Sequence, residues 1–253
     1  MAAPHNTLKA ALAEGRVQRG LWLNLPGPVP AEIAGAAGFD WCLIDGEHGP
    51  WDPTGIRDQL IALAATGTQA VVRVPVAEDW IIKQALDLGA QTLLIPMINS
   101  AEEARAVVRA CRYPPQGVRG MGAMVARAGG YGATERYAAT ANDQICILVQ
   151  AESRAAMDDL AEITAVDGVD GVFIGPADLG ADMGYRDDLA NPDLWTAVGA
   201  GIETIRAGGK APGIIVSGAE AEAKMLELGV TFLGCGSDAS LLHKALSALA
   251  RPC

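Results

Sequence analysis

Two acidic residues stand where parallel α/β proteins carry out their chemistry. Glu152 ends the run LVQAE and Asp178 lies in the run IGPADL, each just past a short apolar run typical of a buried parallel strand. Ligands of such folds bind at the carboxyl ends of the strands. Carboxylates with no Cys or His beside them favour Mg²⁺, Mn²⁺ or Co²⁺ over a structural zinc ion. A pair of helix N-caps is the alternative interpretation, because Asp is common at that position.

The run DGEHGP at 45–50 adds a third polar feature of the same kind. It follows another apolar run and contains Asp45, Glu47 and His48. The other two histidines fall in the N-terminal tail and in the last predicted helix, so His48 is the only one at a predicted strand end. An imidazole there predicts a general acid or base that works near neutral pH, with a structural histidine as the alternative.

A charged residue also interrupts the apolar run AVVRVP, where Arg73 occupies the end of a predicted strand. A buried guanidinium needs a carboxylate partner or an anionic ligand. Asp45 ends the neighbouring predicted strand and is the candidate partner. The other side chains predicted on this face are Trp22 and Asn24 from the first strand, Gln150 from the fifth and Ser217 from the seventh.

Eight apolar runs alternate with eight patterns of helical spacing. The predicted strands are 20–25, 41–44, 70–74, 92–96, 145–149, 171–174, 213–216 and 232–234. The predicted helices are 30–37, 53–65, 78–88, 101–111, 154–163, 192–207, 219–228 and 240–250, after a short amphipathic helix that begins near Asn6 or Thr7. This alternation predicts one (β/α)₈ TIM barrel over residues 1–253, close to the usual length of about 250 residues. An open doubly wound sheet is the alternative, disfavoured because no GxGxxG follows the first strand.

Bulk properties exclude several classes of protein. A formal net charge of −11 disfavours nucleic acids and anionic membranes as partners, because both require clustered Lys and Arg. No apolar run reaches the roughly 18 residues that suggest a membrane span, and the N-terminus lacks the pattern of a signal peptide. The five cysteines include no CxxC pair, which predicts buried thiols in a reducing cytoplasm.

One segment breaks the regular alternation. Residues 112–143 form a long connection rich in Gly and Arg before the fifth strand. Connections of this length are usually functional or contain short helices of their own. The segment starts at the bottom of the predicted barrel, and its composition suggests that part of it reaches the active face or a subunit contact.

The motifs together resemble the class II pyruvate aldolases of the 4-hydroxy-2-oxoheptanedioate aldolase family, which are related to the 2-keto-3-deoxy sugar-acid aldolases. The resemblance runs from Gly20 to about Leu249 and includes, in order, FDWCLIDGEHGP, VVRVP, QTLLIPM, RYPPQGVRG, LVQAE, GVDGVFIGPADL and KAPGII. It implies a barrel enzyme that reversibly cleaves 4-hydroxy-2-oxo acids to pyruvate and an aldehyde with a divalent metal. It also implies a homohexamer, a trimer of dimers that exchange their C-terminal helices.

Carried over residue by residue, the resemblance implies a role for each polar position. Glu152 and Asp178 correspond to the metal ligands, and Gln150 with the backbone of Ala177 and Asp178 corresponds to pyruvate contacts. The remaining positions are His48 as the catalytic base, Arg73 as the stabiliser of the enolate and Asp87 as the acid that raises the basicity of the histidine. Apart from the resemblance, Asp45 is predicted to contact the substrate, and Trp22 is predicted to wall its aldehyde side, with simple packing as the alternative.

Asp87 fits this arrangement least. It lies late in the helix after the third strand, near the lower end of the predicted barrel and away from its own His48. A neighbouring subunit or ordered water is needed to join the two residues. A surface acid at a helix end is the alternative.

Three other kinds of enzyme are alternatives to the aldolase. A Schiff-base aldolase needs a lysine at a strand end, and the five lysines lie on predicted helices or before a strand. A phosphate-binding barrel is suggested by the turn GCGSDASLL at 234–242 after the last strand. A citramalyl- or malyl-CoA lyase shares the metal chemistry but needs a basic cluster for CoA phosphates, which the sequence lacks.

Overall fold

The computed structural model describes residues 1–250 of the 253-residue chain. Eight parallel strands pair in chain order and the last pairs with the first, so the sheet closes into a barrel. This closure confirms the predicted (β/α)₈ barrel and excludes the open sheet. The strands are β1 (Gln18–Leu23), β2 (Trp41–Asp45), β3 (Gln69–Arg73), β4 (Thr92–Ile95), β5 (Cys146–Ala151), β6 (Gly171–Ile174), β7 (Ala211–Ile215) and β8 (Phe232–Ser237).

Helices follow the strands and cover the outside of the barrel. They are α1 (Thr7–Ala13), α2 (Pro28–Ala36), α3 (Pro53–Ala64), α4 (Asp79–Asp87), α5 (Ala101–Cys111), α6 (Tyr137–Gln144), α7 (Arg154–Asp158), α8 (Leu160–Thr164), α9 (Pro176–Asp182), α10 (Pro192–Ala207), α11 (Ala219–Glu227) and α12 (Asp238–Ala250). A 3₁₀ helix, Arg127–Gly132, precedes α6.

Helix α1 covers the N-terminal face of the barrel, as the pattern after Asn6 predicted. The side chain of Asn6 accepts a hydrogen bond from the N–H of Lys9 at 2.9 Å, which satisfies a free donor of the first turn. Leu8 and Leu12 are buried among the side chains that fill the barrel. Ligands therefore have no open route from this end.

Aromatic side chains fill the barrel interior. Trp41 stacks on Phe232 with ring centroids 4.1 Å apart. The Trp22 ring lies 5.5 Å from Trp41 and 5.4 Å from Phe173. Because the interior is packed, polar chemistry is confined to the upper edge, where the strands end.

Strand ends differ from the apolar runs by a few residues, and the differences matter at the upper edge. β5 extends to Ala151, so Gln150 lies within the strand, paired with Phe173 of β6, and Glu152 follows directly. The predicted strand stopped at residue 149, where the apolar run ends. The observed strand continues through Gln150, a buried polar residue that has hydrogen-bond partners. β1 ends at Leu23, which places Asn24 in the following loop.

The structure corrects one helical prediction and adds a helix that the sequence did not predict. The pattern at 154–163 is divided into α7 and α8 at Asp159, whose carboxylate accepts a hydrogen bond from the N–H of Ala101 at 2.7 Å. Helix α9 was not predicted, because it is short and buries only Leu179 and Gly180. It nevertheless carries one of the candidate site residues, Asp178.

The long connection before β5 carries the 3₁₀ helix and α6, which agrees with the expectation from its length. It lies at the N-terminal face, where the N–H of Asn6 donates to Gln144 at 2.9 Å and the N–H of Ala3 donates to Thr140 at 2.8 Å. These contacts hold this part of the connection away from the active edge of its own barrel. A subunit contact remains a prediction.

Helices α2 and α12 leave apolar side chains exposed on one side of the barrel. Their exposed fractions lie between 47% and 83% for Val29, Ile33, Leu241, Leu242, Leu246 and Leu249. An apolar surface of this kind is typical of a protein contact. It supports the expectation that α12 is exchanged between subunits, and the exchange itself remains a prediction.

Within residues 1–250, no helix is long and apolar enough to cross a membrane.

Candidate active site

Arg73 and Asp45 form a buried pair at the carboxyl ends of β2 and β3. The two residues are register partners in the parallel ladder. Arg73 Nε donates to Asp45 Oδ1 at 2.8 Å, and Arg73 Nη2 donates to Asp45 Oδ2 at 2.7 Å. The two parallel bonds fix the plane of the guanidinium. The predicted partnership of these residues is confirmed.

Asp45 also organises the loop that carries His48. Asp45 Oδ1 accepts hydrogen bonds from the backbone N–H of Glu47 at 3.1 Å and of His48 at 3.3 Å. Asp45 Oδ2 accepts one from Asn24 Nδ2 at 2.7 Å. Burial raises the pKa of Asp45, but the hydrogen bonds and charge of Arg73 outweigh it, so the pKa lies below the ordinary value. Asp45 therefore holds its negative charge throughout the neutral range.

Glu47 supplies a second carboxylate to Arg73, with Oε2 2.7 Å from Nη1. Sequence reasoning placed Glu47 on this face without assigning it a partner. Burial raises the pKa of Glu47 above its ordinary value, although the positive charge of Arg73 opposes the shift. The guanidinium is thus enclosed by acids on two sides. Its remaining hydrogen bond is to Gln150 of β5.

Gln150 connects Arg73 to Glu152. Its Oε1 accepts a hydrogen bond from Arg73 Nη1 at 3.4 Å, while its Nε2 donates to Glu152 Oε2 at 2.6 Å. Gln150 and Glu152 are 1% and 2% exposed, so both groups lie in a low dielectric. The amide thereby joins the predicted enolate stabiliser to a predicted metal ligand.

Glu152 is held by backbone as well as by Gln150. Its Oε1 accepts a hydrogen bond from the N–H of Met97 at 2.8 Å. Met97 has φ = 56°, a left-handed conformation that is uncommon outside glycine. A Cβ on Gly175 would stand 2.4 Å from Glu152 Oε2, so this approach requires glycine. The carboxylate is therefore closely enclosed by β4, β5 and the turn after β6.

Burial raises the pKa of Glu152 to about 7, and the negative charges of Glu47 and Asp178 act in the same direction. The charges of Glu47 and Asp178 therefore add to the cost of ionising Glu152. A divalent cation would relieve that repulsion, and each oxygen of Glu152 accepts one protein hydrogen bond, which leaves lone pairs for a metal.

Asp178 lies in the first turn of α9, which begins directly after β6, and its side chain is exposed. The first intrahelical hydrogen bond runs from the N–H of Leu179 to the carbonyl of Gly175 at 3.0 Å. The N–H groups of Ala177 and Asp178 precede it and have no intrahelical acceptor, so they can bind an anion. The structure thus places the predicted carboxylate contacts and Asp178 on one helical turn.

The residues present fit a hard divalent cation better than a zinc ion. Across residues 1–250, no group of three or more His, Cys, Asp or Glu side chains has the arrangement of a metal site. Glu152 and Asp178 offer two oxygen donors, and Mg²⁺ commonly takes few protein ligands and completes its shell with water and substrate. A site with few protein ligands also leaves positions open for a substrate.

His48 and Trp22 border the same edge in different ways. His48 is exposed on the loop after β2, and its imidazole makes no hydrogen bond within the described chain. Trp22 is 5% exposed, and the carbon Cζ of Arg73 lies 5.9 Å from its ring centroid. Trp22 thus forms the floor beneath Arg73, whereas His48 is free to meet a substrate or a partner subunit.

Asp87 is the predicted site residue that the structure does not bring to the others. It ends α4 on the side where β4 begins, so it lies at the N-terminal end of the barrel. Its Oδ1 accepts a hydrogen bond from Arg119 Nη2 at 2.7 Å. The Arg119 guanidinium is buried over the Tyr113 ring, 4.4 Å from its centroid. Within one chain, Asp87 therefore pairs with Arg119 and does not contact His48.

Sequence reasoning missed one backbone contact and one acid of this region. The hydrogen bond from the N–H of Met97 to Glu152 cannot be predicted from the residue type, because every residue except proline has a backbone N–H. Asp238 begins α12 and accepts hydrogen bonds from the N–H of Asn24 at 2.8 Å and of Leu25 at 3.2 Å. This carboxylate lies in the turn GCGSDASLL and repels a phosphate, so the structure disfavours the phosphate-binding alternative.

The fold and the site together define a class of protein. A closed parallel barrel with acids, an arginine and a histidine around its strand ends is the arrangement of a barrel enzyme. The family model described as HpcH/HpaI aldolase/citrate lyase matches residues 18–245. The chain belongs to this family.

Relatives of known name support the assignment. The hydroxypyruvate/pyruvate aldolase of Agrobacterium fabrum is 53% identical over 98% of this chain and 94% of its own length. The 4-hydroxy-2-oxo-heptane-1,7-dioate aldolase of Escherichia coli is 50% identical over 97% of this chain and 94% of its own length. A crystal structure of a family member from Burkholderia cenocepacia superposes with a TM-score of 0.93 at 38% identity and covers 96% of this chain and 97% of that one. The first two of these relatives are named aldolases, which are carbon–carbon lyases.

Proposed function

We propose that this chain is a metal-dependent aldolase that reversibly cleaves 4-hydroxy-2-oxo acids to pyruvate and an aldehyde. The observation that carries the proposal is the bridge from Arg73 through Gln150 to Glu152 at the upper edge of the barrel. It sets a fixed positive charge beside the carboxylate that we propose as a metal ligand. The named aldolases at 53% and 50% identity support the same reaction class.

Glu152 and Asp178 would hold the metal, which we propose is Mg²⁺, Mn²⁺ or Co²⁺. When bound, such an ion supplies Lewis-acid stabilisation to negative charge on the 2-keto oxygen of the substrate. The free N–H groups of Ala177 and Asp178 would receive the substrate carboxylate. Gln150 would contribute its amide to the same 2-keto acid while it orients Glu152.

Cleavage breaks one carbon–carbon bond and transfers two protons. A base removes the proton of the 4-hydroxyl, the bond between C3 and C4 breaks, and the electrons pass to the 2-keto oxygen to give the pyruvate enolate. Protonation of C3 then yields pyruvate, and the aldehyde departs. Arg73 would stabilise the developing oxyanion with a preorganised positive charge. His48 would accept the proton of the 4-hydroxyl.

Assembly completes the proposal. The exposed apolar surface of α2 and α12 supports a homo-oligomer, which we propose is a hexamer built as a trimer of dimers. A neighbouring subunit would bring its Asp87 to the exposed His48. We also propose that the enzyme acts in the cytoplasm on small-molecule substrates.

Exchange of the pyruvate methyl protons with solvent deuterium tests the proposal, because this exchange reports enolate formation without an aldehyde. With Mg²⁺ present, Arg73→Ala should slow both the exchange and the cleavage by roughly 10²–10³-fold, the range measured for loss of an oxyanion donor. Arg57→Ala is the control, because Arg57 pairs with the half-buried Asp58 on the outer helix α3. Wild-type exchange in Arg73→Ala would remove Arg73 from the chemistry.

A further inference from the structure

The first residue of α12 is connected to the active-site arginine through two side chains. The carboxylate of Asp238 accepts hydrogen bonds from the N–H groups of Asn24 at 2.8 Å and of Leu25 at 3.2 Å. Asn24 Nδ2 then donates to Asp45 Oδ2 at 2.7 Å. The same oxygen accepts the hydrogen bond of Arg73 Nη2 at 2.7 Å.

We infer that Asp238 is a positioning residue for Arg73 that acts through Asn24 and Asp45. The inference rests on the proposed function, in which Arg73 stabilises charge on the 2-keto oxygen. Neither Asp238 nor Asn24 has a part in the proposed proton transfers or in the metal site. Their effect on the reaction passes entirely through the orientation of the guanidinium.

Strand pairing explains why Asn24 depends on Asp238. The ladder between β1 and β2 ends with the pair Leu23 and Ile44, so Asn24 lies beyond regular strand pairing. The pairing between β1 and β8 shifts register after Gly20, and Trp22 then faces Ser237. This irregularity brings the next residue, Asp238, beside the backbone that leaves β1. The Asp238 carboxylate therefore takes the place of a strand partner for the Asn24 N–H.

The orientation of the Asp45 carboxylate depends in turn on Asn24. The backbone N–H groups of Glu47 and His48 hold Oδ1, and Asn24 is the second donor, beside Arg73, on Oδ2. Asp45 is only 3% exposed, so water cannot readily replace a lost bond. Loss of the Asn24 bond would let the carboxylate and the paired guanidinium turn together. A displacement of about 1 Å in a catalytic group can cost about 10²-fold in rate.

A purely structural role is the competing explanation for Asp238. Its Oδ1 also accepts a hydrogen bond from the N–H of Ala239 at 2.7 Å, so it helps to start α12. That role alone predicts a loss of stability with no specific effect on enolate formation. The experiment must therefore measure the chemistry of Arg73 and not activity alone.

We would measure exchange of pyruvate methyl protons by NMR on the full chain with saturating Mg²⁺. Asp238→Ala and Asn24→Ala should each lower the maximal exchange rate about tenfold or more, with a smaller change in the pyruvate concentration at half-maximal rate. Asp238→Asn keeps an oxygen that can accept the Asn24 N–H and should recover part of the rate. Asp159→Ala is the matched control, because that half-buried carboxylate also accepts a backbone N–H, at 2.7 Å, outside the site. Its exchange rate should equal that of the wild type.

A double-mutant cycle with Arg73→Lys separates positioning from general damage. A lysine cannot form the two-bond pair with Asp45, so Asp238→Ala should change the rate by less than about twofold in that background. An effect as large as in the wild-type background would overturn the inference. If Asp238→Ala does not fold, Asn24→Ala and Asp238→Asn enter the same cycle.

The outcome also separates the inference from the proposed function. Wild-type exchange in Arg73→Ala would refute the role of Arg73 and with it the function proposed above. Slow exchange in Arg73→Ala combined with wild-type exchange in both Asp238→Ala and Asn24→Ala would overturn the positioning role alone.

Discussion

Gln150 Nε2 donates a hydrogen bond to Glu152 Oε2 at 2.6 Å, although the two residues are only two positions apart at the end of one strand. Side chains two apart in a strand point to the same face, and here that face is the barrel interior. The bond fixes the direction of the amide, so that its oxygen turns to Arg73 and its NH₂ turns to the carboxylate. Gln150 thus accepts a hydrogen bond from a cationic group on one side and donates one to an anionic group on the other.

This relationship gives a first prediction for Gln150→Glu, which keeps the shape of the side chain but replaces the donor with a second carboxylate. The two acids then face each other in a buried site, so the metal-free protein should lose about 1–3 kcal/mol of stability at pH 8. Urea denaturation with EDTA present measures the loss. Gln91→Glu is the control, since that amide donates to the carbonyl of Pro4 at 2.7 Å near the surface. Equal losses in the two variants would contradict the prediction.

The second prediction concerns the metal. Exhaustive chelation should abolish both cleavage and methyl-proton exchange, and addition of Mg²⁺, Mn²⁺ or Co²⁺ should restore them, because Glu152 and Asp178 offer only oxygen donors. Glu152→Ala and Asp178→Ala should each weaken binding of Mn²⁺ in calorimetric titration. Full activity after EDTA treatment, or in Glu152→Ala, would exclude the proposed mechanism.

The third prediction follows from the pKa of Glu152, which burial raises from an ordinary 4.5 to about 7 in the metal-free protein. Between these values the folded chain holds a proton that the unfolded chain has released. The resulting stability is fully present below the lower pKa and is lost as the pH rises through the upper one. The free energy of unfolding should therefore fall by at most about 3 kcal/mol from this group as the pH rises.

Denaturation of the metal-free protein at pH 5 and pH 8 tests this sign. Glu152→Gln should remove the part of the decline that comes from Glu152, because the amide does not titrate. Glu102→Gln on the exposed side of α5 is the control and should keep it. Added Mn²⁺ should stabilise the wild type more at pH 8 than at pH 5, since the metal binds the ionised carboxylate. A wild-type profile parallel to that of Glu152→Gln would show that Glu152 does not hold the proton.

Much of this site follows from strand ends alone, and the rest depends on geometry that residue types do not carry. Asp45 and Arg73 end adjacent strands in register, so their pairing is predictable. The link from Asp238 to Asn24 depends on a register shift between β1 and β8 that leaves no pattern in either strand. Helix α9 was missed for a related reason, because a helix of seven residues that buries only Leu179 and Gly180 needs little apolar periodicity.

The fourth prediction separates the two steps of the reaction. If His48 acts on the 4-hydroxyl, His48→Ala should lower the cleavage rate by roughly 10²–10⁴-fold, the usual contribution of a general base. Methyl-proton exchange should fall much less, because it does not involve that hydroxyl. His5→Ala in the exposed N-terminal tail is the control. Equal losses of cleavage and exchange in His48→Ala would instead place the histidine at C3.

The last prediction addresses Asp87, which lies at the opposite end of its own barrel from His48. Arg119 holds only Oδ1 of Asp87, and the side chain of Asp87 is 24% exposed, so its other oxygen can meet a neighbouring subunit. Asp87→Asn should then lower the rate, because the histidine loses an acid that favours its charged form. The pH dependence of cleavage should shift to lower pH as well.

Mixed oligomers decide whether Asp87 acts between subunits. Chains of His48→Ala and Asp87→Asn, unfolded together and reassembled, should regain activity, because about a quarter of the sites then combine His48 of one chain with Asp87 of another. A mixture of His48→Ala and Arg73→Ala is the control and should regain none, since both residues border the same edge of one barrel. No recovery in the first mixture, with normal assembly confirmed by light scattering, would leave Asp87 as the partner of Arg119 alone.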